Sequence, residues 1–171
     1  MKKNKPSNIG ALLNLDELEI KQTYDINDKA WNKLRTDFAP EISTEQHRKA
    51  LSNFINYSPA FTAFIATSKK CGLCGFAEVS VRNDYVNGCQ ARPTLYLEGI
   101  YVQPQFRSRG IARELISAAS LWGLKRGCVE FASDVFYDDF ESRAAHSRMG
   151  FHETEKVIFY KKSLTDDQNG S

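Results

Sequence analysis

Val102-Gln103-Pro104-Gln105-Phe106-Arg107-Ser108-Arg109-Gly110-Ile111-Ala112 is the stretch on which the fold turns. Before it, Thr94 to Val102 is almost wholly apolar and predicts a central strand, interrupted at Glu98-Gly99. After it, Ile111, Leu115, Ala118 or Ala119, and Trp122 recur at helical spacing, predicting a helix from about Arg109 to Arg126. Lys125 and Arg126 suit its C-terminal end, and Gly127 can close it in a left-handed turn. A buried strand therefore hands the chain to a tight turn and a helix starts at once. Free N–H groups and a positive dipole make such a helix start an anion site. Gly110 and Ala112 are small enough for a pyrophosphate to approach the backbone, and Arg107, Arg109 and Arg113 add charge around it. Solvated basic residues are the plain alternative. Against it stands the sign of the charge, because cations at a helix N-terminus are mildly unfavourable without a bound anion. No G-K-[ST] follows the glycine and no G-x-G-x-x-G is present, so the P-loop and dinucleotide-fold types are excluded.

Working outward, Leu18 to Thr23 has a short strand's pattern, and Asn27 or Asp28 can cap a helix that Pro40 ends after Phe38. Ser43 and Gln46 stand at capping-box spacing and open a second helix. Phe61 to Thr67 reads as a strand. Ala77, Val79 and Val81 alternate with Glu78, Ser80 and Arg82, predicting a half-buried strand. Asn83 to Pro93 is a loop. Val129 to Ser133 is another strand, Asp139 to Met149 a short helix closed by Gly150, and Phe151 onward supplies the last strands. Strands and helices in this order predict a single α/β (α+β) domain with a mixed sheet over residues 18–164. Residues 1–17 read as a weakly ordered lead-in, with a short helix near Leu12, Leu13 and Leu15, and residues 165–171 as a polar tail.

Composition narrows the function. The chain has 171 residues, 42% hydrophobic and 26% charged, as expected of one globular domain. Its net charge of +2 argues for neither nucleic acid nor membrane surface. No apolar run approaches the roughly 20 residues that cross a bilayer, and no apolar stretch follows the basic start, so the cytoplasm is the expected compartment. Cys71 and Cys74 form one C-x-x-C, while Cys89 and Cys128 are isolated and no second pair completes a zinc set. The expectation is reduced thiols and no metal.

With the loop, long helix, strand, short helix and closing Gly150-Phe151 in order, the chain resembles the GCN5-related N-acetyltransferase superfamily. Arg107-Ser108-Arg109-Gly110-Ile111-Ala112 matches its R/Q-x-x-G-x-G/A signature. Longer strings, Arg82-Asn83-Asp84-Tyr85-Val86-Asn87-Gly88-Cys89, Leu97-Glu98-Gly99-Ile100, Ala132-Ser133-Asp134 and Gly150 to Tyr160, are similar to the dimeric chromosomal aminoglycoside 6'-N-acetyltransferases. The resemblance implies a mixed, mostly antiparallel sheet with splayed central strands. It implies acetyl-CoA as co-substrate, with its pyrophosphate on Arg107 to Arg113 and its acetyl and pantetheine groups along the backbone of Ile100, Tyr101 and Val102. It places Tyr85, Glu98 and Asp134 at the aminoglycoside, and Glu155 where a partner subunit completes the pocket of a homodimer. Two positions depart from the family pattern. Phe38 precedes Ala39-Pro40 where a tryptophan is common before the proline, and Asp139 stands where an asparagine commonly meets coenzyme A.

The chemistry defines what these residues must do. An alkyl amine with a pKa of about 10 is neutral in about one molecule in a thousand at pH 7, a handicap of roughly 4 kcal/mol. A carboxylate that accepts the proton relieves it. Glu98 is a charge inside an apolar strand, so it is either this base or half of a structural ion pair. Asp134 ends a strand, where ligands of open sheets bind, or caps a helix. Gly99 marks a bulge whose freed N–H can polarise a thioester carbonyl. His146 stands where the superfamily usually keeps a tyrosine near the leaving thiolate. It either protonates that sulfur or is an ordinary satisfied histidine. Tyr85, Trp31 and Phe38 are candidates to pack on sugar faces, although Trp31 also fits the core face of the first helix. The leading expectation is transfer of acetyl to an aminoglycoside 6'-amine in a ternary complex. Another polycationic amine (a polyamine or a peptide lysine), or a coenzyme A-binding sensor without catalysis, are the alternatives.

Overall fold

In the computed structural model the protein is described over residues 17–57 and 60–164. The expectations for the lead-in and the polar tail fall on residues 1–16 and 165–171 and lie outside the described residues, save Glu17. The elements run β1 (Leu18–Thr23), α1 (Lys29–Phe38), α2 (Thr44–Tyr57), β2 (Phe61–Ser68), β3 (Gly72–Arg82), β4 (Thr94–Val102), a 3-10 turn (Pro104–Phe106), α3 (Ile111–Leu124), β5 (Phe131–Ala132) and α4 (Phe140–Met149). The five strands lie in the order β1-β2-β3-β4-β5. Neighbours are antiparallel except β4 and β5, which are parallel. The sheet is mixed, as the element order predicts.

Two caps show how local chemistry sets the helix starts. Asp28 Oδ1 accepts from the N–H groups of Ala30 and Trp31 at 2.9 and 3.1 Å and opens α1. Ser43 and Gln46 form the reciprocal pair expected of a capping box, with Gln46 N donating to Ser43 Oγ at 3.3 Å and Ser43 N donating to Gln46 Oε1 at 2.9 Å.

The sheet is covered on both faces. Helix α3 packs on one, where Ile111, Leu115, Ala119 and Trp122 join Val79, Leu95, Leu97 and Phe106 in the larger core. Helices α1 and α2 cover the other, where Trp31, Leu34 and Leu51 meet Phe61, Ile65 and Phe76. Trp31 is fully buried there, so of its two readings the core position holds. Strand β3 is consequently not half-buried. Glu78 and Ser80, on the face expected to meet solvent, are 4% and 2% exposed because α1 lies over that end of the strand and Glu98 lies beside it.

The last strands expected from Phe151 onward are absent among the described residues. From Phe151 to Ser163 the chain joins no sheet, and Val157, Ile158, Phe159 and Tyr160 are 49%, 75%, 86% and 91% exposed. The physical reason is the neighbour. Strand β5 spans two residues, so the edge it offers a sixth strand carries almost no ladder.

Candidate active site

The turn before α3 is shaped for an anion. Ser108 has φ 59° and Gly110 φ 86°, both left-handed, and Gly110 caps the helix without any side-chain hydrogen bond to its first turn. The N–H groups of Ile111, Ala112 and Arg113 therefore meet no capping side chain. Arg107 turns back, its Nε donating to the carbonyl of Val102 at 3.1 Å. Burying Phe106 (1% exposed) anchors the turn to the core and leaves Arg107 to Gly110 at the surface.

Strands β4 and β5 pair only at Leu95–Phe131 and Tyr96–Ala132. Beyond Tyr96 no described strand pairs with the β5 side of β4. The backbone of Gly99, Ile100, Tyr101 and Val102 thus presents an open edge that runs to the turn before α3. A long amide-bearing arm ending in a pyrophosphate fits this edge and turn in the manner of an added strand.

At the head of the open edge lies the expected interruption. Glu78 pairs with Gly99 and Val79 with Leu97, so Glu98 is the extra residue of a β-bulge. The bulge puts Glu98 on the same sheet face as Ser80, Arg82 and Tyr96. Its carboxylate accepts from Ser80 Oγ at 2.5 Å and from Arg82 Nη2 at 3.0 and 3.1 Å, one bond to each oxygen. The Glu98 side chain is 10% exposed and the Arg82 side chain 37%. Arg82 also lies over Tyr96, its guanidinium carbon 3.2 Å from the ring centroid. The Tyr96 hydroxyl in turn donates to Asp134. Burial, together with the Asp134 acceptor, pushes the Tyr96 phenol far above its usual range, so it stays a donor. Asp134 and Glu98 are thus joined through Tyr96 and Arg82.

Deeper on the same face, sequence reasoning missed a second buried carboxylate. Glu78 accepts from Trp31 Nε1 at 2.6 Å and binds Arg35 through Nη1 to both of its oxygens. Burial raises its carboxyl pKa, opposed by Arg35 and Trp31. Trp31 and Arg35 are four apart on α1 and so share one face, which was the available signal.

The remaining candidates are distributed around this centre. Tyr85 is exposed on the β3–β4 loop, and Glu130 Oε2 holds that loop by accepting from Gln90 N and Ala91 N at 2.8 and 2.6 Å. Phe38 is half exposed and packs on Phe76 and Tyr101 at centroid distances of 6.0 and 5.6 Å. Asp139 caps α4, with its two oxygens accepting from Ser142 N and Ser142 Oγ at 2.9 and 2.7 Å, and these bonds hold its carboxyl below the usual range. His146 has both ring nitrogens engaged, Nδ1 with the Ser142 carbonyl at 2.8 Å and Nε2 with Ser133 Oγ at 3.0 Å. A carbonyl only accepts, so Nδ1 carries a proton, and Nε2 pairs with a Ser133 hydroxyl that can either donate or accept. Glu155 is exposed in the segment outside the sheet. None of the four cysteines is joined in a disulfide. Among the described residues no group of three or more metal-ligating side chains gathers, and no helix is long and apolar enough to cross a membrane.

Residues 23–151 match the model of the acetyltransferase (GNAT) family. The aminoglycoside N(6')-acetyltransferase type 1 of Salmonella enteritidis is 40% identical over 145 residues, covering 85% of this chain and 99% of that protein. Its counterpart in Serratia marcescens is 42% identical over 135 residues, covering 79% and 92%. Among solved structures, AAC(6')-Iy in complex with the bisubstrate analog CoA-S-monomethyl-acetylneamine superposes with a TM-score of 0.76 at 38% identity, covering 85% of this chain and 98% of that one. AAC(6')-Ih from Acinetobacter baumannii gives 0.77 at 32% identity, covering 86% and 99%. The open β4 edge, the left-handed turn and these likenesses agree: the chain belongs to the acetyltransferase (GNAT) family and is an acetyl-CoA-dependent N-acetyltransferase.

Proposed function

We propose that this enzyme acetylates the 6'-amine of aminoglycoside antibiotics, by direct attack in a ternary complex, and thereby confers resistance. The observation that carries the reading is the bulge. It sets Glu98, a carboxylate that is 10% exposed, at the head of the open β4 edge and ties it through Arg82 and Tyr96 to Asp134. Relatives named for the same reaction at 40% and 42% identity support the acceptor class.

Acetyl-CoA supplies a thioester carbonyl for the amine to attack. The turn from Arg107 through Ser108, Arg109, Gly110, Ile111 and Ala112 to Arg113 holds its pyrophosphate, and the backbone of Ile100, Tyr101 and Val102 holds its pantetheine arm. Asp139, committed to its cap, accepts from an amide of that arm with its remaining lone pairs. Glu98 receives the ammonium proton, directly or through water, and Asp134 binds a second ammonium. Tyr85 and Phe38 pack on sugar faces. A backbone N–H at the Glu98-Gly99 bulge serves as donor to the developing oxyanion. The proton that the attacking nitrogen sheds as it becomes an amide passes through water to His146 Nε2, which releases the Ser133 hydroxyl and returns that proton to the leaving sulfur.

A homodimer completes the pocket. The support is the exposed Val157-Ile158-Phe159-Tyr160 run, continuously apolar and outside the sheet in one chain, which a second subunit can take up as strand and so carry Glu155 to the neighbouring site. Cysteines outside any disulfide fit the cytoplasm, where thiols stay reduced.

The experiment is an acceptor panel followed by release of coenzyme A. Turnover of kanamycin and tobramycin, with the product acetylated at the 6'-nitrogen, is expected. Turnover of spermidine or a lysine peptide with neither antibiotic modified would sink the acceptor assignment.

A further inference from the structure

Arg82 and Arg35 are both paired to carboxylates on one face of the sheet, and the difference between them is informative. The Arg35–Glu78 pair is buried on both sides, with side chains 13% and 5% exposed, and Trp31 adds a third donor. Such a pair is part of the core. In the Arg82–Glu98 pair the carboxylate is covered but the guanidinium is 37% exposed, so the cation lies on the solvent side of the anion. A single nitrogen, Nη2, makes both contacts, where a fork of two nitrogens would hold more firmly. The guanidinium also has a second seat on the Tyr96 ring, which it keeps without Glu98.

Building on the acceptor reading above, we propose that Arg82 is a displaceable gate that sets how tightly an acceptor must bind to reach Glu98. It is the resident counter-ion of Glu98, and an acceptor ammonium gains that carboxylate only by displacing it. Asp134 accepts from the hydroxyl of Tyr96, on whose ring the same guanidinium lies. A molecule carrying several ammonium groups binds both carboxylates and outcompetes one guanidinium. A monoamine, offering one charge for one charge, does not. Displacement weakens every amine by the same factor, so the guanidinium sets a threshold affinity that a ligand engaging both carboxylates clears.

The test is equilibrium binding of neamine, a polyamine fragment, and glucosamine, a monoamine, to the full-length wild type, Arg82→Gln and Arg82→Lys at low ionic strength. Acetyl-CoA binding serves as the check on folding. Arg82→Gln keeps a donor to Glu98 and removes the charge. It is expected to tighten neamine binding roughly threefold to fivefold and glucosamine binding by no more than that, while Arg82→Lys stays close to wild type. Weaker or unchanged neamine binding in Arg82→Gln, with acetyl-CoA binding intact, overturns the inference, since it makes Arg82 a support for Glu98. Should Arg82→Gln not fold, a crystal structure of the wild type with neamine decides the matter. Arg82 released from Glu98 supports displacement, and Arg82 still at hydrogen-bond distance from it refutes displacement. Wild type that binds acetyl-CoA but not neamine defeats the acceptor reading itself and takes this inference with it.

Discussion

Gly88 lies against Thr154, so the loop that carries Tyr85 is packed on the segment that carries Glu155. A Cβ at Gly88 would fall 2.7 Å from Thr154 Cβ and nearer still to its hydroxyl, and Gly88 has φ 75°. Both the contact and the left-handed backbone exclude a larger residue. Gly88→Ala is therefore expected to displace the loop and raise the KM for the aminoglycoside several-fold, with the KM for acetyl-CoA unchanged. Adding Thr154→Ala should recover part of the loss. The φ penalty, about 1 kcal/mol, remains. Steady-state kinetics with each substrate varied in turn checks this, and an effect on the acetyl-CoA KM instead would show that the loop does not act on the acceptor.

The Trp31–Arg35–Glu78 cluster should matter for stability more than for chemistry. Arg35→Met leaves a buried carboxylate with only the indole N–H, and the expected cost is about 3–5 kcal/mol. Arg35→Met combined with Glu78→Leu removes both charges and should recover most of it. Urea unfolding of the three proteins measures this. A single variant no less stable than the double would contradict the assignment.

Asp28 gives a signed pH effect. Burial opposes ionisation there, but bonds from the Trp31 and Ala30 N–H groups and the charge of Lys21 hold its carboxyl below 3.8. A carboxyl whose pKa is depressed on folding contributes stability above its unfolded value and loses it as pH falls through the folded one. Asp28→Asn keeps the cap, so its stability deficit should be present at pH 6, start to shrink as pH falls below about 3.8 and vanish below the lower folded pKa. Asp28→Ala loses the cap outright, costing about 1 kcal/mol at every pH. Thermal melts at pH 6 and pH 3 distinguish the two.

The segment after Phe151 tests assembly. Phe159→Asp places a charge where an intersubunit strand would be buried and should convert a dimer to a monomer in sedimentation velocity, lowering turnover with it because Glu155 no longer reaches a neighbouring pocket. A wild-type protein that sediments as a monomer at full activity would contradict the proposed dimer.

The local features were legible because they depend on neighbours in sequence. Ser43 with Gln46, the Asp28 cap, the glycine after Arg109 and the Glu98-Gly99 interruption each carry their own stereochemistry. The mixed sheet follows from element order. What alternation could not show is which face of β3 remains wet. Glu78 and Ser80 look like solvent residues until α1 is laid over them, and no pattern within β3 reports that. The fate of Val157 to Tyr160 was equally hidden, since their apolar character is the same whether they pair at home or across an interface. His146 illustrates a third limit: its position suggests a proton donor, but only coordinates reveal that both of its nitrogens are engaged.

The most direct test of the catalytic account is coenzyme A release with tobramycin near neutral pH, comparing wild type with Glu98→Gln and Asp134→Asn. If Glu98 takes the proton, Glu98→Gln lowers kcat by about a hundredfold with the KM for acetyl-CoA unchanged, while Asp134→Asn chiefly raises the KM for the antibiotic. Undiminished turnover in both variants would contradict it.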